Sequence, residues 1–268
     1  MKSDHILFNN KPIYFNDSGN GNVIIFVHGF LESAEIWENF ASTLGKTFRV
    51  ITVDLPGHGK SAVFGEIHSM EFMAETVKLV LDHLGIEQCI MVGHSMGGYV
   101  TMSFAEQYPH LLRGIVLFNS HAAADSDVNK QNRTRTINLV KNDRHGFVTH
   151  FIPDLFAPKN VKKFSKEIER LKQIAEKVSN EAIIAALEGM KSRKDHQFVL
   201  ENLNIPVMII AGKDDLKIPL GVLSSQASLP HHCEFIMLSG VGHTGYIEAA
   251  RTTQKLIKSF AERTMDLS

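Results

Sequence analysis

The sequence predicts an α/β protein with a mostly parallel central sheet and helices on both of its faces. Several short segments are apolar at every position, such as Val23–Val27, which is typical of strands buried on both faces. These segments alternate with stretches of helical periodicity, and that alternation favours parallel strands joined by helices. With 268 residues, the chain is long enough for one large domain that carries an insertion.

The predicted elements begin with a hairpin, in which two short alternating segments flank Asn9-Asn10-Lys11. Strands and helices then alternate. The long helix before the third buried strand has apolar residues at helical spacing, among them Phe72, Met73 and Val77. In chain order, the predictions are a strand at 23–27, a helix at about 33–44, a strand at 50–53, a helix at about 69–84, a strand at 89–92, a helix at 99–108 and a strand at 114–118.

The alternation stops between residues 121 and 202, where the sequence is charged and has no buried-strand pattern. It resumes with strands at 206–211 and 234–238 and a closing helix at 246–263. We therefore predict an α/β core formed by residues 1–120 and 203–268, with residues 121–202 as a helical cap inserted over the carboxyl edge of the sheet. The predicted helices of the cap are 133–141, 161–178 and 181–190, and a further core helix is expected near 220–228.

Composition and charge exclude several classes of partner. The formal net charge of −1 gives no electrostatic case for a nucleic acid or an anionic membrane. No apolar run has the length of a signal peptide or a membrane span, so a cytoplasmic protein is expected. Cys89 and Cys233 both fall in strand patterns and are expected to be buried thiols. The histidines lack metal-ligand spacing, and we predict no metal site.

The segment Gly93-His94-Ser95-Met96-Gly97 places a serine between a buried strand and a helix. A sharp turn at this position lifts the serine Oγ off the sheet edge, beside the first amides of the helix. A serine hydroxyl is a weak nucleophile until a base removes its proton, and that base must be oriented by a third group. Ser95 is therefore the candidate nucleophile.

The candidate base and acid follow the last two predicted strands. His243 comes after 234–238, and Asp214 and Asp215 come after 206–211. The carboxyl ends of parallel strands meet at one edge of a sheet, where binding sites form. The chain order is serine, acid, histidine, which is the order of one known architecture. Spacing alone leaves Asp214 and Asp215 as alternatives.

These motifs resemble those of the α/β-hydrolases over almost the whole chain, and they are most similar to the esterase, lactonase and haloperoxidase-like branch. The resemblance implies that the acid is Asp215, three residues after Gly212 and four before Pro219. Where some relatives carry the acid after an earlier strand, this chain has Asn119-Ser120. The matching motifs are His28-Gly29-Phe30, Asp54-Leu55-Pro56-Gly57-His58-Gly59-Lys60-Ser61, Gly93-His94-Ser95-Met96-Gly97-Gly98, Gly212-Lys213-Asp214-Asp215 and Gly242-His243.

The resemblance also implies an oxyanion hole made of the backbone N–H groups of Phe30 and Met96. Gly29 permits the close backbone approach that such a site requires. The substrate pocket is expected to involve His28 from the core and Phe147, Phe151 and Phe156 from the cap, although the three cap residues equally fit packing against the core. The basic residues of the cap favour a solvated helix face over a site for an acidic substrate, and they are Arg133, Arg135, Lys141 and Arg144.

The predicted function is that of a serine hydrolase that cleaves a small carboxylic ester, thioester or lactone through an acyl-enzyme, with no metal or organic cofactor. Two alternatives keep the triad: carbon–carbon bond hydrolysis and cofactor-free perhydrolysis. Relatives that act on alkyl halides or epoxides carry an aspartate at the position of Ser95, so these activities are disfavoured. An alternative of another class is a receptor-like ligand-binding protein with little turnover. The expected partner is a small acyl substrate, and the chain is expected to be a monomer or homodimer.

Overall fold

Eight strands form one mixed sheet in a computed structural model of the chain, which describes residues 2–266. Their order is β1-β2-β4-β3-β5-β6-β7-β8, and strands β3 to β8 run parallel. The hairpin of β1 and β2 adds two antiparallel strands at one edge. The strands are β1 (Lys2–Phe8), β2 (Lys11–Ser18), β3 (Val23–Val27), β4 (Arg49–Val53), β5 (Cys89–His94), β6 (Leu112–Phe118), β7 (Val207–Gly212) and β8 (Cys233–Leu238).

Within the described part of the chain, ten α-helices connect and cover these strands. Helix α2 packs against α3, and α1 packs against α10. Every residue of β3, β5 and β7 is buried, as expected for strands covered on both faces. The predicted α/β fold class is confirmed. The helices are α1 (Glu38–Leu44), α2 (Met70–His83), α3 (Met96–Gln107), α4 (Asp127–Phe151), α5 (Ser165–Glu176), α6 (Asn180–Ser192), α7 (Gln197–Asn202), α8 (Leu220–Gln226), α9 (Gly245–Glu248) and α10 (Ala250–Asp266).

The segment between β6 and β7 contains helices α4 to α7 and no strand among its described residues. Helix α4 packs against α6, and α6 also meets the core, where the His68 N–H donates to the Ala185 carbonyl at 3.0 Å. This second contact is close at Gly189, where a Cβ atom would lie only 1.8 Å from the backbone oxygen of His68. Helices α4 to α7 thus form an inserted segment that rests against the sheet domain, and its role as a cap over the site stays a prediction.

Helix α4 is much longer than the helix predicted at 133–141. It begins after Ser126, whose side chain accepts the N–H of Asn129, and it bends at Asp143, where φ is −150°. Few of its residues are buried, so its sequence has no apolar periodicity to reveal its length. The closing helix is likewise divided, because Ala249 separates α9 from α10.

Two observations bear on the environment of the protein. Among residues 2–266, no helix combines the length and the apolar composition that crossing a bilayer requires. Cys89 and Cys233 are both free thiols. Cys89 is fully buried, and burial raises the pKa of its thiol to about 12.

Candidate active site

Ser95 occupies a sharp turn between β5 and α3. Its φ of 51° lies in the left-handed region, which is unusual for a residue with a side chain. The turn also brings two backbones together, since a Cβ atom on Gly97 would lie 2.3 Å from the carbonyl oxygen of Val27. Glycine is therefore required at position 97. Ser95 N–H donates to the carbonyl of Phe118 at 3.0 Å, which ties the turn to β6.

The structure brings Ser95, His243 and Asp215 together at the carboxyl edge of the sheet. Ser95 Oγ lies 2.8 Å from His243 Nε2, and His243 Nδ1 lies 2.7 Å from Asp215 Oδ2. Both distances are within hydrogen-bond range. The imidazole therefore contacts a hydroxyl through one nitrogen and a buried carboxylate through the other, which is the arrangement of a nucleophile, a base and an orienting acid.

Asp215 is held as a carboxylate by several donors. Its Oδ1 accepts the backbone N–H groups of Lys217 at 2.7 Å and Ile218 at 3.2 Å. Burial raises its pKa, but His243 and the hydrogen bonds outweigh this and lower the pKa to about 2. Asp214 forms an ion pair with Lys159 at 3.2 Å instead. Of the two alternatives, Asp215 is thus the one beside the imidazole.

Asn119 is a site residue to which the sequence analysis assigned no role. It directly follows β6, has a φ of 46°, and donates its side-chain amide to Asp215 Oδ2 at 2.9 Å and to the carbonyl of Gly242 at 3.3 Å. It therefore links the acid to the loop that carries His243. Its position in the sequence could have indicated this role, since a polar residue at the end of a buried strand lies at the edge of the sheet where binding sites form.

One expected oxyanion donor, Met96, directly follows Ser95, and the other, Phe30, follows Gly29, where an added Cβ atom would lie 3.2 Å from Ser95 Cβ. Met96 is the first residue of α3, so its N–H has no acceptor within the helix. Phe30 follows Gly29, whose N–H donates to Glu32 Oε2 at 2.7 Å and so fixes this loop. Glu32 is fully buried and is a second residue that the sequence analysis did not single out. The role of the two N–H groups stays a prediction.

A cavity of about 600 Å³ opens onto Ser95 and His243. Its wall near the core loop is aromatic and includes Phe30, Phe147 and Phe151. Polar residues also line the cavity, and they come mainly from the segment after β6 and from α4. These polar residues are Tyr99, His121, Asp125, Ser126, Asn129, Asn132, Arg133 and Thr136.

Two of the four predicted pocket residues, His28 and Phe156, are not among those that line this cavity. The ring of His28 is buried in the core, where Nε2 accepts the Leu55 N–H at 3.0 Å and Nδ1 lies 2.8 Å from the Gly29 carbonyl. Phe156 is buried against Phe164, with ring centroids 6.1 Å apart. Both side chains are therefore packing residues, which corrects the expectation that they contact substrate.

The basic residues of the cap have different surroundings. Arg133 lines the cavity, although its guanidinium is paired with Asp125. Arg144 donates to the carbonyls of Glu176 and Val178. Arg135 and Lys141 are exposed. The expectation of a solvated helix face thus fits Arg135 and Lys141, whereas Arg133 faces the cavity.

A family model described as the alpha/beta hydrolase fold matches residues 22–250 of this chain. The chain therefore belongs to the α/β-hydrolase family, and the resemblance found in the motifs is confirmed. It is 28% identical to a 2-hydroxy-6-oxononadienedioate/2-hydroxy-6-oxononatrienedioate hydrolase of a Pseudomonas species, over 95% of this chain and 93% of that protein. It is 24% identical to a pimeloyl-[acyl-carrier protein] methyl ester esterase of Wigglesworthia glossinidia brevipalpis, over 94% of this chain and 99% of that one.

Among solved structures, the chain is similar to a thermophilic esterase of Thermogutta terrifontis with malate bound. The TM-score is 0.93 at 28% identity, and the match covers 98% of this chain and 99% of that one.

Proposed function

We propose that this protein is a serine hydrolase that cleaves a small carboxylic ester, thioester or lactone through an acyl-enzyme. The observation that carries the proposal is the 2.8 Å contact between Ser95 Oγ and His243 Nε2, with Asp215 on the other ring nitrogen. An unbroken chain from hydroxyl to imidazole to carboxylate is what activates a serine for attack on a carbonyl carbon.

The proposed reaction has two halves. Ser95 Oγ attacks the carbonyl carbon while His243 takes its proton, and Asp215 stabilises the resulting imidazolium. The negative charge on the carbonyl oxygen is met by the N–H groups of Phe30 and Met96. His243 then gives its proton to the leaving group. In the second half, His243 removes a proton from water, which attacks the acyl carbon of the acyl-enzyme. The bond from that carbon to Ser95 Oγ then breaks, His243 returns the proton to Ser95 Oγ, and the acid is released.

The cavity supports a small substrate with one apolar and one polar part. Its aromatic wall suits an acyl chain, and the polar lining residues of α4 suit a hydrogen-bonding group. Two of the relatives are described as esterases, one of them as a methyl ester esterase. These descriptions favour an ester over the other acyl compounds.

Carbon–carbon bond hydrolysis on the same triad is the second candidate. The name of the Pseudomonas relative gives its substrate as an oxo dicarboxylic acid, and that name mentions no ester. Arg133 on the cavity wall is a cation that would attract a carboxylate group of such a substrate, although Asp125 already neutralises part of its charge. A ketone is also a carbonyl that Ser95 or an activated water attacks, so the same residues serve both reactions.

We also propose a cytoplasmic location and a small acyl molecule as the partner. The unpaired thiols of Cys89 and Cys233 support a reducing compartment.

Labelling with a fluorophosphonate probe tests the nucleophile. We expect the folded protein to be labelled and the Ser95→Ala variant to remain unlabelled. Absence of labelling in the folded protein would favour the receptor-like alternative. A panel of short-chain and long-chain esters, thioesters, lactones and 6-oxo dicarboxylic acids then identifies the substrate class, and turnover of the oxo acids alone would select carbon–carbon cleavage.

A further inference from the structure

A buried polar network connects three segments of the proposed site. Glu32 follows the oxyanion loop, His94 directly precedes Ser95, and Tyr246 lies in α9, just after His243. The Glu32 carboxylate accepts the Tyr246 hydroxyl at 2.7 Å on Oε1 and the Gly29 N–H at 2.7 Å on Oε2. His94 Nδ1 lies 2.9 Å from Glu32 Oε2, and His94 Nε2 lies 2.9 Å from the backbone carbonyl oxygen of His243.

Both ring nitrogens of His94 face oxygen acceptors. The carbonyl of His243 has no proton to donate, so Nε2 must carry a hydrogen. Nδ1 faces a carboxylate oxygen, and a neutral ring would place its lone pair there. If Glu32 held the proton instead, Gly29 and Tyr246 would donate to a neutral acid, which accepts hydrogen bonds less strongly than a carboxylate. An imidazolium paired with a carboxylate satisfies all four contacts.

The titration of the two groups agrees with this geometry. Burial lowers the pKa of His94, but the adjacent Glu32 carboxylate, the hydrogen bond to the His243 carbonyl and the charge of Asp215 together outweigh burial, and the net direction is upward. Burial raises the pKa of Glu32, yet His94 and the hydrogen bonds from Tyr246 and Gly29 lower it to about 2. The pKa shifts of both groups therefore favour an ionised Glu32 and a protonated His94.

The surroundings of His94 contain few other charges. Its ring centroid is 5.0 Å from that of His243, and Asp215 and His28 act on it from further away. The remaining neighbours are aromatic. They are Trp37 and Phe118, which contact the ring edge to face, together with Tyr246. Glu32 is thus the carboxylate in direct contact with the ring.

We propose that the ion pair of Glu32 and His94 is a positioning element of the serine hydrolase site, an inference that rests on the proposed function. His94 holds the backbone carbonyl of His243, and Glu32 holds the N–H of Gly29 beside the oxyanion donor Phe30. One buried pair thereby fixes the base and the oxyanion loop relative to Ser95. Neither residue is among those that line the substrate cavity.

Glu32→Gln tests this proposal because it keeps the size of the side chain and a carbonyl oxygen but removes the negative charge. Without that charge, the buried His94 ring loses its Nδ1 proton as the pH rises, while Nε2–H stays on the His243 carbonyl. The side-chain amide of the variant then turns its NH2 group toward Nδ1, and the Gly29 N–H beside the oxyanion loop loses its acceptor. We expect the kcat of Glu32→Gln, divided by that of the unmodified protein, to fall by about tenfold from about pH 6 to about pH 8, with little change in KM.

The matched control is Glu106→Gln, which breaks another glutamate–histidine contact, with His196 at 3.2 Å, away from the cavity. Its kcat ratio should not depend on pH. A ratio for Glu32→Gln that is equally independent of pH would overturn the proposal.

A second measurement needs no variant. In protein labelled with ¹⁵N-histidine, we expect both ring nitrogens of His94, assigned through backbone connectivities, to carry protons at about pH 8. A neutral tautomer of His94 at this pH would overturn the ion pair even if Glu32→Gln fails to fold. Fluorophosphonate labelling of the same sample separately tests the serine hydrolase function, so the two failures are distinguishable.

Discussion

At the scale of single residues, Ser95 is the group on which the proposed chemistry depends most directly. Ser95→Ala removes the attacking oxygen, and we expect kcat/KM for a nitrophenyl ester to fall by about 10⁴-fold or more with little change in unfolding free energy. Ser103→Ala is the matched control. The hydroxyl of Ser103 is buried on the same helix and has no hydrogen-bond partner among residues 2–266, so its loss should leave activity unchanged. Equal activities of the two variants would contradict the assignment.

Asp215 and its neighbour Asp214 offer a second matched pair. In Asp215→Asn, the side chain has no charge to stabilise the imidazolium of His243, and we expect kcat to fall by about 10³–10⁴-fold. Asp214→Asn loses only the partly exposed ion pair with Lys159, so kcat should stay within about twofold. Steady-state kinetics on one ester distinguish the two. A larger loss in Asp214→Asn would reverse the assignment of the acid.

The sequence predicts the candidate triad because each of its residues follows a strand that is easily recognised. Glu32 and Asn119 are different, since their roles arise only from contacts made in the folded chain. Glu32 meets His94 across 62 positions, and Asn119 meets Asp215 across 96. The position of Asn119 after β6 places it at the edge where sites form, but no local pattern shows which residue it or Glu32 contacts, because hydrogen-bond partners far apart in sequence have no fixed spacing.

At the scale of elements, the strands and helices that the sequence predicts well are those with many buried residues. Strands β3, β5 and β7 are buried throughout, so an unbroken apolar run marks each of them. Helix α4 has only four buried residues among 25, and its sequence therefore resembles a polar loop over much of its length. The bend at Asp143 further interrupts its periodicity. The sheet core could thus be predicted from sequence, whereas the extent of the cap helices could not.

The contact between α6 and the core yields a test at this scale. Gly189→Ala would place a methyl group 1.8 Å from the backbone oxygen of His68, so α6 must move. We expect the unfolding free energy to fall by about 1–3 kcal/mol. Gly221→Ala is the control in α8, where nothing lies within 4 Å of the added methyl group, and it should be neutral or slightly stabilising. Denaturant unfolding of both variants measures the difference, and equal stabilities would show that α6 has room to adjust.

At the scale of the whole molecule, buried neutral histidines make stability depend on pH. Burial lowers the pKa to about 3 in His58 and to about 4 in both His68 and His121. In the unfolded chain these groups take up protons below about pH 6.5. The unfolded state then binds more protons than the folded state, so the stability present at neutral pH is lost as the pH falls. His94 contributes with the opposite sign because its pKa is raised.

We therefore expect the unfolding free energy to drop by about 2 kcal/mol or more between about pH 7 and pH 4.5, measured by urea unfolding. His68→Gln should reduce this dependence, because glutamine does not titrate and its oxygen can still accept the Phe64 N–H that His68 Nε2 accepts at 3.1 Å. Replacing the exposed His110 with glutamine should leave the dependence as it is. If the unfolding free energy changes equally with pH in the unmodified protein and in both variants, His68 does not contribute to the pH dependence.

The helical segment leaves the sheet after β6 and returns to it at β7, and these two strands are neighbours. The backbone N–H of His196 donates to the carbonyl of Ala122 at 2.8 Å, so the two ends of the segment that carries α4 to α6 lie side by side, while Ser95, Asp215 and His243 all belong to the core. Evolution can rebuild such a segment, or exchange it for one of another length, without breaking the sheet or moving the nucleophile. Sequence differences that change the substrate specificity of family members should accordingly accumulate in residues 121–202. A chimera that carries a relative's segment would then acquire the substrate specificity of that relative.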